Sequence, residues 1–240
     1  MPSETLQAVV IRHANYREHD RMLTLLTPDH GRVDVLARGC RRPKSPLMTA
    51  SELFVHGEFV VFRGGERFTL TGCTVTDTFY PLRLDPYRLT CGTYMLGLMQ
   101  AAAQPEQPAH GLYALLLKGL YHITYCGDEA ALAIVNTFLL LYAAELGYRP
   151  RLNHCARCRE PLASDTPTWL DGEAGGLCCA KCAQASHYPI SAAQTAWMRD
   201  ALRSGFGAPL VEGDATLFTA LRRYVEGRLE SSIKAGQLLP

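Results

Sequence analysis

The alternation of apolar and polar residues changes character near residue 80. Before that point, short runs rich in β-branched, leucine and aromatic residues alternate with turn-forming segments such as Pro28-Asp29-His30-Gly31 and Gly64-Gly65-Glu66. This pattern is typical of β-strands separated by tight turns. The five predicted strands cover residues 6–12, 21–27, 32–38, 52–63 and 68–77.

Five short strands within about 80 residues favour a small Greek-key barrel of the OB-fold type. An SH3-like barrel or an unclosed meander would contain the same number of strands. Strand count alone therefore does not separate these alternatives.

Longer apolar runs after Pro81 predict helices over residues 89–103, 112–125 and 129–146. Asp128 is a candidate N-cap of the third helix, and Gly147 is a candidate stop. Ser191 and Gln194 have the spacing of a capping box, which predicts a helix that continues to Leu202. A last helix is expected over residues 215–229.

These patterns predict an α+β multidomain protein. The expected domains are an OB-fold barrel over residues 1–80, a helical domain over residues 81–150 and 188–240, and an inserted cysteine-rich module over residues 151–187.

Composition describes an ordinary globular chain of 240 residues, 48% hydrophobic and 20% charged, with a net charge of +1. A polyanionic partner must therefore be argued from local charge clusters. The apolar stretch from Ala130 to Leu146 contains Asn136 and Glu145, which favours a buried helix over a membrane span. The N-terminus lacks the pattern of a signal peptide, so a soluble, cytoplasmic protein without membrane contact is expected.

The nine cysteines include two C-x-x-C pairs separated by twenty residues. In a reducing compartment, such pairs are the usual form of a four-thiolate zinc site, although redox-active pairs or inert thiols are alternatives. The predicted ligands of one structural zinc ion are Cys155, Cys158, Cys179 and Cys182. Cys179 is favoured over Cys178 because it alone gives the x-x spacing to Cys182. The flanking His154 and His187 are expected to be solvated.

A basic cluster lies between residues 32 and 44, where Asp34 is the only acidic residue and five residues are cationic: Arg32, Arg38, Arg41, Arg42 and Lys44. Guanidinium groups on a loop beside a barrel strand suit phosphate contacts, but a solvated basic turn explains the same pattern. A second basic area on the last helix contains Arg222 and Arg223, partly offset by Glu226 and Glu230.

Aromatic residues on the predicted barrel strands could stack on bases if they faced outward, but aromatics at strand spacing usually belong to the core. They are Tyr16, Phe54, Phe59, Phe62 and Phe68. The chain has no phosphate loop, dinucleotide fingerprint, zinc-protease motif or nucleophile elbow, so a non-enzymatic protein is expected. A zinc hydrolase would need an open coordination position, which four thiolates do not leave.

Taken together, these features resemble the RecO family, and in particular its deinococcal members. The resemblance is carried by Val9-Val10-Ile11-Arg12, by the 20–27 strand, by Gly31-Arg32, by the 37–45 segment, by Gly147-Tyr148-Arg149-Pro150 and by the 175–182 stretch. The match extends over essentially the whole chain.

The resemblance implies a role in DNA repair and recombination after DNA damage. It implies binding of single- and double-stranded DNA, strand annealing, and partnership with RecR in promoting RecA loading in the RecFOR pathway. It also implies a nucleoid-associated location and possible contact with single-strand-binding protein. The alternative from another class is a zinc-ribbon assembly factor that docks a protein partner and contacts DNA only incidentally.

Overall fold

The computed structural model describes residues 3–65, 67–125, 130–163, 165–208, 214–229 and 231–240. The chain divides into two compact units. The first contains Met1–Asp85 and Leu96–Leu117, and the second contains Pro86–Met95 and Lys118–Pro240.

The first unit is built on a closed five-stranded barrel. Its strands are β1 (Ser3–Asn15), β2 (Arg21–Thr27), β3 (Gly31–Ala37), β4 (His56–Gly64) and β5 (Arg67–Asp77). The strand order is β1-β2-β3-β5-β4, and antiparallel pairing of β1 with β4 closes the barrel. The pairing of β3 with β5 is parallel. This is the topology of an OB-fold, as the turn spacing predicted.

The barrel core alternates along each strand as a two-residue side-chain period requires. Leu23, Val35 and Phe59 are completely buried inside it. The fourth strand begins at His56, later than predicted, because residues 49–51 form a 3-10 turn and Phe54 adopts a left-handed backbone with φ 67°. A bulky residue in that conformation interrupts an extended strand.

The helices are α1 (Pro86–Ala102), α2 (His110–Tyr125), α3 (Ala131–Glu145), α4 (Ala192–Ser204) and α5 (Ala215–Leu229). α3 is buried over almost its whole length, and both α4 and α5 pack against it within the second unit. As predicted, Gly147 stops the helix just after its C-cap, and its φ of 83° suits the left-handed residue that follows a helix C-terminus. The predicted N-cap of α3, Asp128, lies outside the described residues.

Within the described ranges, no helix is both long enough and apolar enough to cross a bilayer. The apolar run that ends at Leu146 is instead the buried helix α3, as expected from its polar interruptions.

The cysteine-rich segment is organised by a small antiparallel sheet in the second unit. Its strands are β6 (Thr168–Asp171), β7 (Gly176–Cys178) and β8 (Tyr188–Ile190), with β6 in the middle. Gly176 allows a close approach of two backbone segments, because a Cβ there would lie 2.5 Å from the carbonyl oxygen of Arg151. This contact ties the start of the segment to β7.

Candidate metal centre and nucleic-acid interface

The four predicted metal ligands converge on one point. The sulfur atoms of Cys155, Cys158, Cys179 and Cys182 all lie within 4.8 Å of one another. The Sγ atoms of Cys158 and Cys179 are 3.8 Å apart. Tetrahedral coordination with metal–sulfur bonds of about 2.3 Å places sulfur atoms about 3.8 Å apart, so the four thiolates fit a single metal ion.

Backbone amides and neighbouring thiols shape the ionisation of this cluster. Burial raises the pKa of Cys155, but backbone N–H groups, including that of Cys179 at 3.4 Å, outweigh it and lower that pKa to about 6. Burial and the neighbouring sulfurs raise the pKa of Cys182 to about 12. Four adjacent thiols cannot all ionise unless a cation compensates their charge, and these four sulfur atoms lie close enough together to hold one metal ion.

A buried carboxylate behind the cysteines joins the two C-x-x-C pairs, which we call the first knuckle (155–158) and the second knuckle (179–182), and sequence analysis did not single it out. The Asp171 side chain is 1% exposed. Its Oδ2 accepts from Nε of Arg157, 2.6 Å away in the first knuckle, and its Oδ1 accepts from the backbone N–H groups of Glu173 and Ala174, each at 2.9 Å. Asp171 therefore anchors the first knuckle to the turn after β6.

The second knuckle is tied to the same carboxylate through His187, whose Nε2 lies 3.3 Å from Oδ2 of Asp171. The backbone N–H of Gln184 donates to Nδ1 of this histidine at 3.2 Å, which leaves the proton on Nε2 facing the carboxylate. His187 is therefore buried in a hydrogen-bond network, contrary to the expectation that it is solvated. His154 is exposed, as expected.

Burial by itself would raise the pKa of Asp171, but the Ala174 N–H, the Arg157 guanidinium and His187 hold it below its usual range. Cys178 belongs to this network and not to the four-cysteine cluster. Its thiol faces Oδ2 of Asp171 at 3.7 Å, and burial raises its pKa to about 11, so it remains protonated.

In the barrel, the basic segment after β3 is held against the loop that joins β1 to β2. The backbone N–H of Gly39 donates to Oδ1 of Asp20 at 2.7 Å, and Nη1 of Arg41 donates to the carbonyl oxygen of Glu18 at 3.0 Å. The side chains of the four predicted cations that follow β3 are exposed; they are Arg38, Arg41, Arg42 and Lys44.

Folding adds two further arginines to this basic region. A groove on the barrel, which we call the barrel groove, is lined by Tyr16, Arg17, Leu36, Arg38, Phe62, Gly64, Arg67 and Thr69. It lies over β3 between the β1–β2 loop and the β4–β5 turn, where OB-folds bind oligonucleotides. Sequence reasoning missed Arg17 and Arg67 because they are distant along the chain. The β1–β2 loop position of Arg17 was the available clue.

The aromatic residues divide between core and groove. Phe54 and Phe59 are completely buried, and Phe68 packs partly against the barrel core. Tyr16 is 43% exposed at the barrel groove, with the Arg17 guanidinium carbon 5.5 Å from its ring centroid, and Phe62 lines the same groove. Tyr16 and Phe62 are therefore the aromatic side chains from the predicted set that the barrel groove exposes.

The remaining predicted cations lie elsewhere. Nη1 of Arg32 donates to the carbonyl oxygen of Gln100 at 3.0 Å, away from the barrel groove. Arg222 is half-buried, donates to the carbonyl oxygen of Gly236 at 3.2 Å and lies over the ring of Phe218. Arg223 is exposed on α5.

Comparison with known proteins matches both parts of the chain to one family. A model described as "Recombination protein O N terminal" matches residues 1–79, and one described as "Recombination protein O C terminal" matches residues 83–235.

Three relatives called "DNA repair protein RecO" illustrate the similarity. The relative from Acetivibrio thermocellus is 32% identical over 72% of this chain and 68% of its own length. The relative from Moorella thermoacetica is 29% identical over 73% of this chain and 65% of its own length, so that alignment spans just under two thirds of the relative. The relative from Symbiobacterium thermophilum is 28% identical over 98% of this chain and 95% of its own length.

The closed barrel and the four-cysteine cluster define an OB-fold protein with a second, helical unit that carries four cysteines placed to hold a metal ion. With both family models matched, the chain belongs to the RecO family.

Proposed function

We propose that this chain acts in DNA repair and homologous recombination by binding single- and double-stranded DNA and annealing complementary strands. It then promotes RecA loading together with RecR. The observation that carries the proposal is the barrel groove, which Arg17, Arg38 and Arg67 line together with the exposed Tyr16 on the ligand-binding face of an OB-fold. Family membership supports the repair role, the partnership with RecR and a possible contact with single-strand-binding protein.

Mechanistically, the arginines neutralise phosphate charge while Tyr16 and Phe62 offer ring faces to unpaired bases. The exposed cations after β3, Arg41, Arg42 and Lys44, extend the positive surface from Arg38. Neutralising both backbones lowers the repulsion between two strands, so base pairing can proceed without nucleotide hydrolysis. The protein is therefore proposed to be a mediator and not an enzyme, working in the cytoplasm on the nucleoid.

We propose that the four cysteines hold one structural zinc ion. Four thiolates at these separations suit zinc, and they fill a tetrahedral coordination sphere. Bound there, zinc would fix the two knuckles, while the Asp171 network would hold them in register from behind. Three further residues outside the barrel groove remain predicted DNA contacts: Arg32, Arg222 and Arg223.

Salt titration of oligonucleotide binding tests the proposal. With four or five phosphate contacts, the logarithm of affinity for single strands should fall against the logarithm of salt concentration with a slope of about −3 to −3.5. The Arg17→Glu/Arg38→Glu double variant removes two contacts and should reduce that slope by about 1.4, at about 0.7 per contact. Fluorescence anisotropy measures both slopes.

A matched control is Lys118→Glu/Lys234→Glu, which makes the same change in net charge at exposed positions outside the barrel groove. Its slope should equal that of the wild type. Salt-insensitive binding, or equal losses in both double variants, would contradict the proposed groove. Wild-type protein that binds no oligonucleotide in dilute buffer would favour an assembly factor instead.

A further inference from the structure

The second unit carries a concentrated positive groove that none of the features above uses. It lies where the segment after α3 runs beside α4, and we call it the arginine groove. Four guanidinium groups and an imidazole line it: Arg149, Arg151, His154, Arg199 and Arg203. None of the described residues that line it is acidic. Because the whole chain has a net charge of only +1, this charge density is a local feature.

Backbone carbonyls hold three of these arginines in place. Nη2 of Arg199 donates to the carbonyl oxygen of Leu152 at 2.7 Å, and Nη2 of Arg149 donates to that of Leu202 at 3.2 Å. Nη2 of Arg151 donates to the carbonyl oxygen of Ala174. A guanidinium group has five N–H donors, so one bond fixes the side chain and leaves donors for a ligand. Such pre-organisation reduces the entropy lost on binding.

Arg203 contacts the carboxylate of Asp200, which offsets one of the four guanidinium charges. The exposed imidazole of His154 adds a further hydrogen-bonding group. The groove therefore offers several fixed, planar donors that suit an oxyanion with more than one acceptor oxygen.

We propose that the arginine groove binds the phosphate backbone of a second nucleic-acid strand, independently of the barrel groove. This inference depends on the proposed DNA-binding function and extends it. A chain with two phosphate sites can hold two strands at once. Their effective concentration then rises above that in solution, which favours annealing.

The lining of the groove favours a nucleic-acid backbone over an acidic peptide. Arginine clusters also bind acidic peptide motifs, but peptide complexes typically gain further affinity from aromatic or aliphatic anchors inserted into apolar pockets. No Phe, Tyr or Trp is among the described lining residues, and the apolar Pro150 and Leu152 are buried. What the groove exposes is mainly guanidinium and imidazole, which recognise repeated phosphates without regard to sequence.

Native mass spectrometry at low ionic strength tests the proposal by counting homopyrimidine oligonucleotides on each zinc-loaded chain. The wild type should bind two oligonucleotides. The Arg149→Glu/Arg203→Glu variant should bind one, as should Arg17→Glu/Arg38→Glu in the barrel groove. The Lys118→Glu/Lys234→Glu control should still bind two. If charge reversal in the arginine groove reduces zinc content or helicity, Arg149→Gln/Arg203→Gln replaces it.

The outcomes separate the two proposals. Two bound oligonucleotides on the arginine-groove variant would overturn the second site. A single oligonucleotide on the wild type, lost in the barrel variant, would also overturn it and leave the proposed function standing. Wild-type protein without bound oligonucleotide would overturn both. Labelled polyglutamate that binds the wild type but not the arginine-groove variant, with oligonucleotide occupancy unchanged, would make the groove a peptide site and refute our assignment.

Discussion

Asp171 shows how one side chain can position a metal site that it does not ligate. Its carboxylate receives Arg157 from the first knuckle and His187 from the chain after the second. Both interactions depend on the negative charge of a side chain that is only 1% exposed. Hydrogen bonds to charged groups are strong. Asp171 therefore supports the separation of the two knuckles from a position outside the four-cysteine cluster.

The Asp171→Asn variant should weaken metal binding while preserving all four cysteines. The neutral amide cannot satisfy Arg157 and His187 as the carboxylate does, so the knuckles lose their common anchor. Loss of such supporting groups typically costs 10- to 100-fold in metal affinity. Competition with a chromophoric chelator measures the change.

Glu173→Gln is the matched control for Asp171→Asn. Glu173 is 95% exposed and lies 3.9 Å from the Arg157 guanidinium, so its removal should leave metal affinity unchanged. Equal affinities for Asp171→Asn and the wild type would show that the knuckles need no anchor.

Among the helices, the N-termini of α4 and α5 are linked through their caps. The Ser191 hydroxyl accepts from the Gln194 N–H at 3.1 Å, and the Gln194 side chain accepts from the Ser191 N–H at 2.7 Å. The amide nitrogen of the Gln194 side chain also donates to Asp214. Asp214 in turn accepts from the N–H groups of Thr216 and Leu217 at the start of α5.

Ser191→Ala should lower the free energy of unfolding by about 1 kcal/mol, because the mutation leaves the Gln194 N–H at the helix start without its side-chain acceptor. Urea unfolding of the metal-loaded protein, followed by circular dichroism, measures the change. Ser204→Ala at the other end of α4, where the serine makes no side-chain capping bond, should have no comparable effect. A loss of stability shared by both variants would contradict the capping argument.

The local periodicity of apolar residues was enough to predict most helices and strands. β2 and α5 begin and end where their apolar patterns do, and the capping box at Ser191 forms as its spacing requires. The predicted fourth strand failed at its beginning because the left-handed backbone at Phe54 is not encoded in any apolar alternation.

The candidate sites also differ in how far they could be predicted from the sequence. The C-x-x-C pairs could be predicted because each knuckle is local in sequence. The barrel groove and the Asp171 network could not, because they join residues such as Arg17 with Arg67, or Arg157 with His187, that only the tertiary fold brings together. Sequence spacing likewise could not distinguish Arg222, engaged with Gly236, from an exposed arginine.

For the whole molecule, the proposals place two roles on two separate units. The barrel core forms from residues such as Leu23 and Phe59 without any contribution from the four predicted metal ligands. The arginine groove instead depends on the metal module, because the Arg151 carbonyl oxygen accepts from the Leu177 N–H at 2.8 Å beside the second knuckle. Metal loss should therefore affect the two units differently.

Chelation of the metal should remove the second bound strand and leave the first. Binding energy at a structural zinc site is folding energy, so its loss unfolds the knuckles and releases Arg151 from β7. The barrel groove keeps its core, and its affinity for one oligonucleotide should persist with an unchanged salt slope. Native mass spectrometry before and after chelation counts both strands, and restored zinc should return the second. If chelation instead abolished binding of the first oligonucleotide, the metal module would belong to the DNA site itself, and its purely structural role would be wrong.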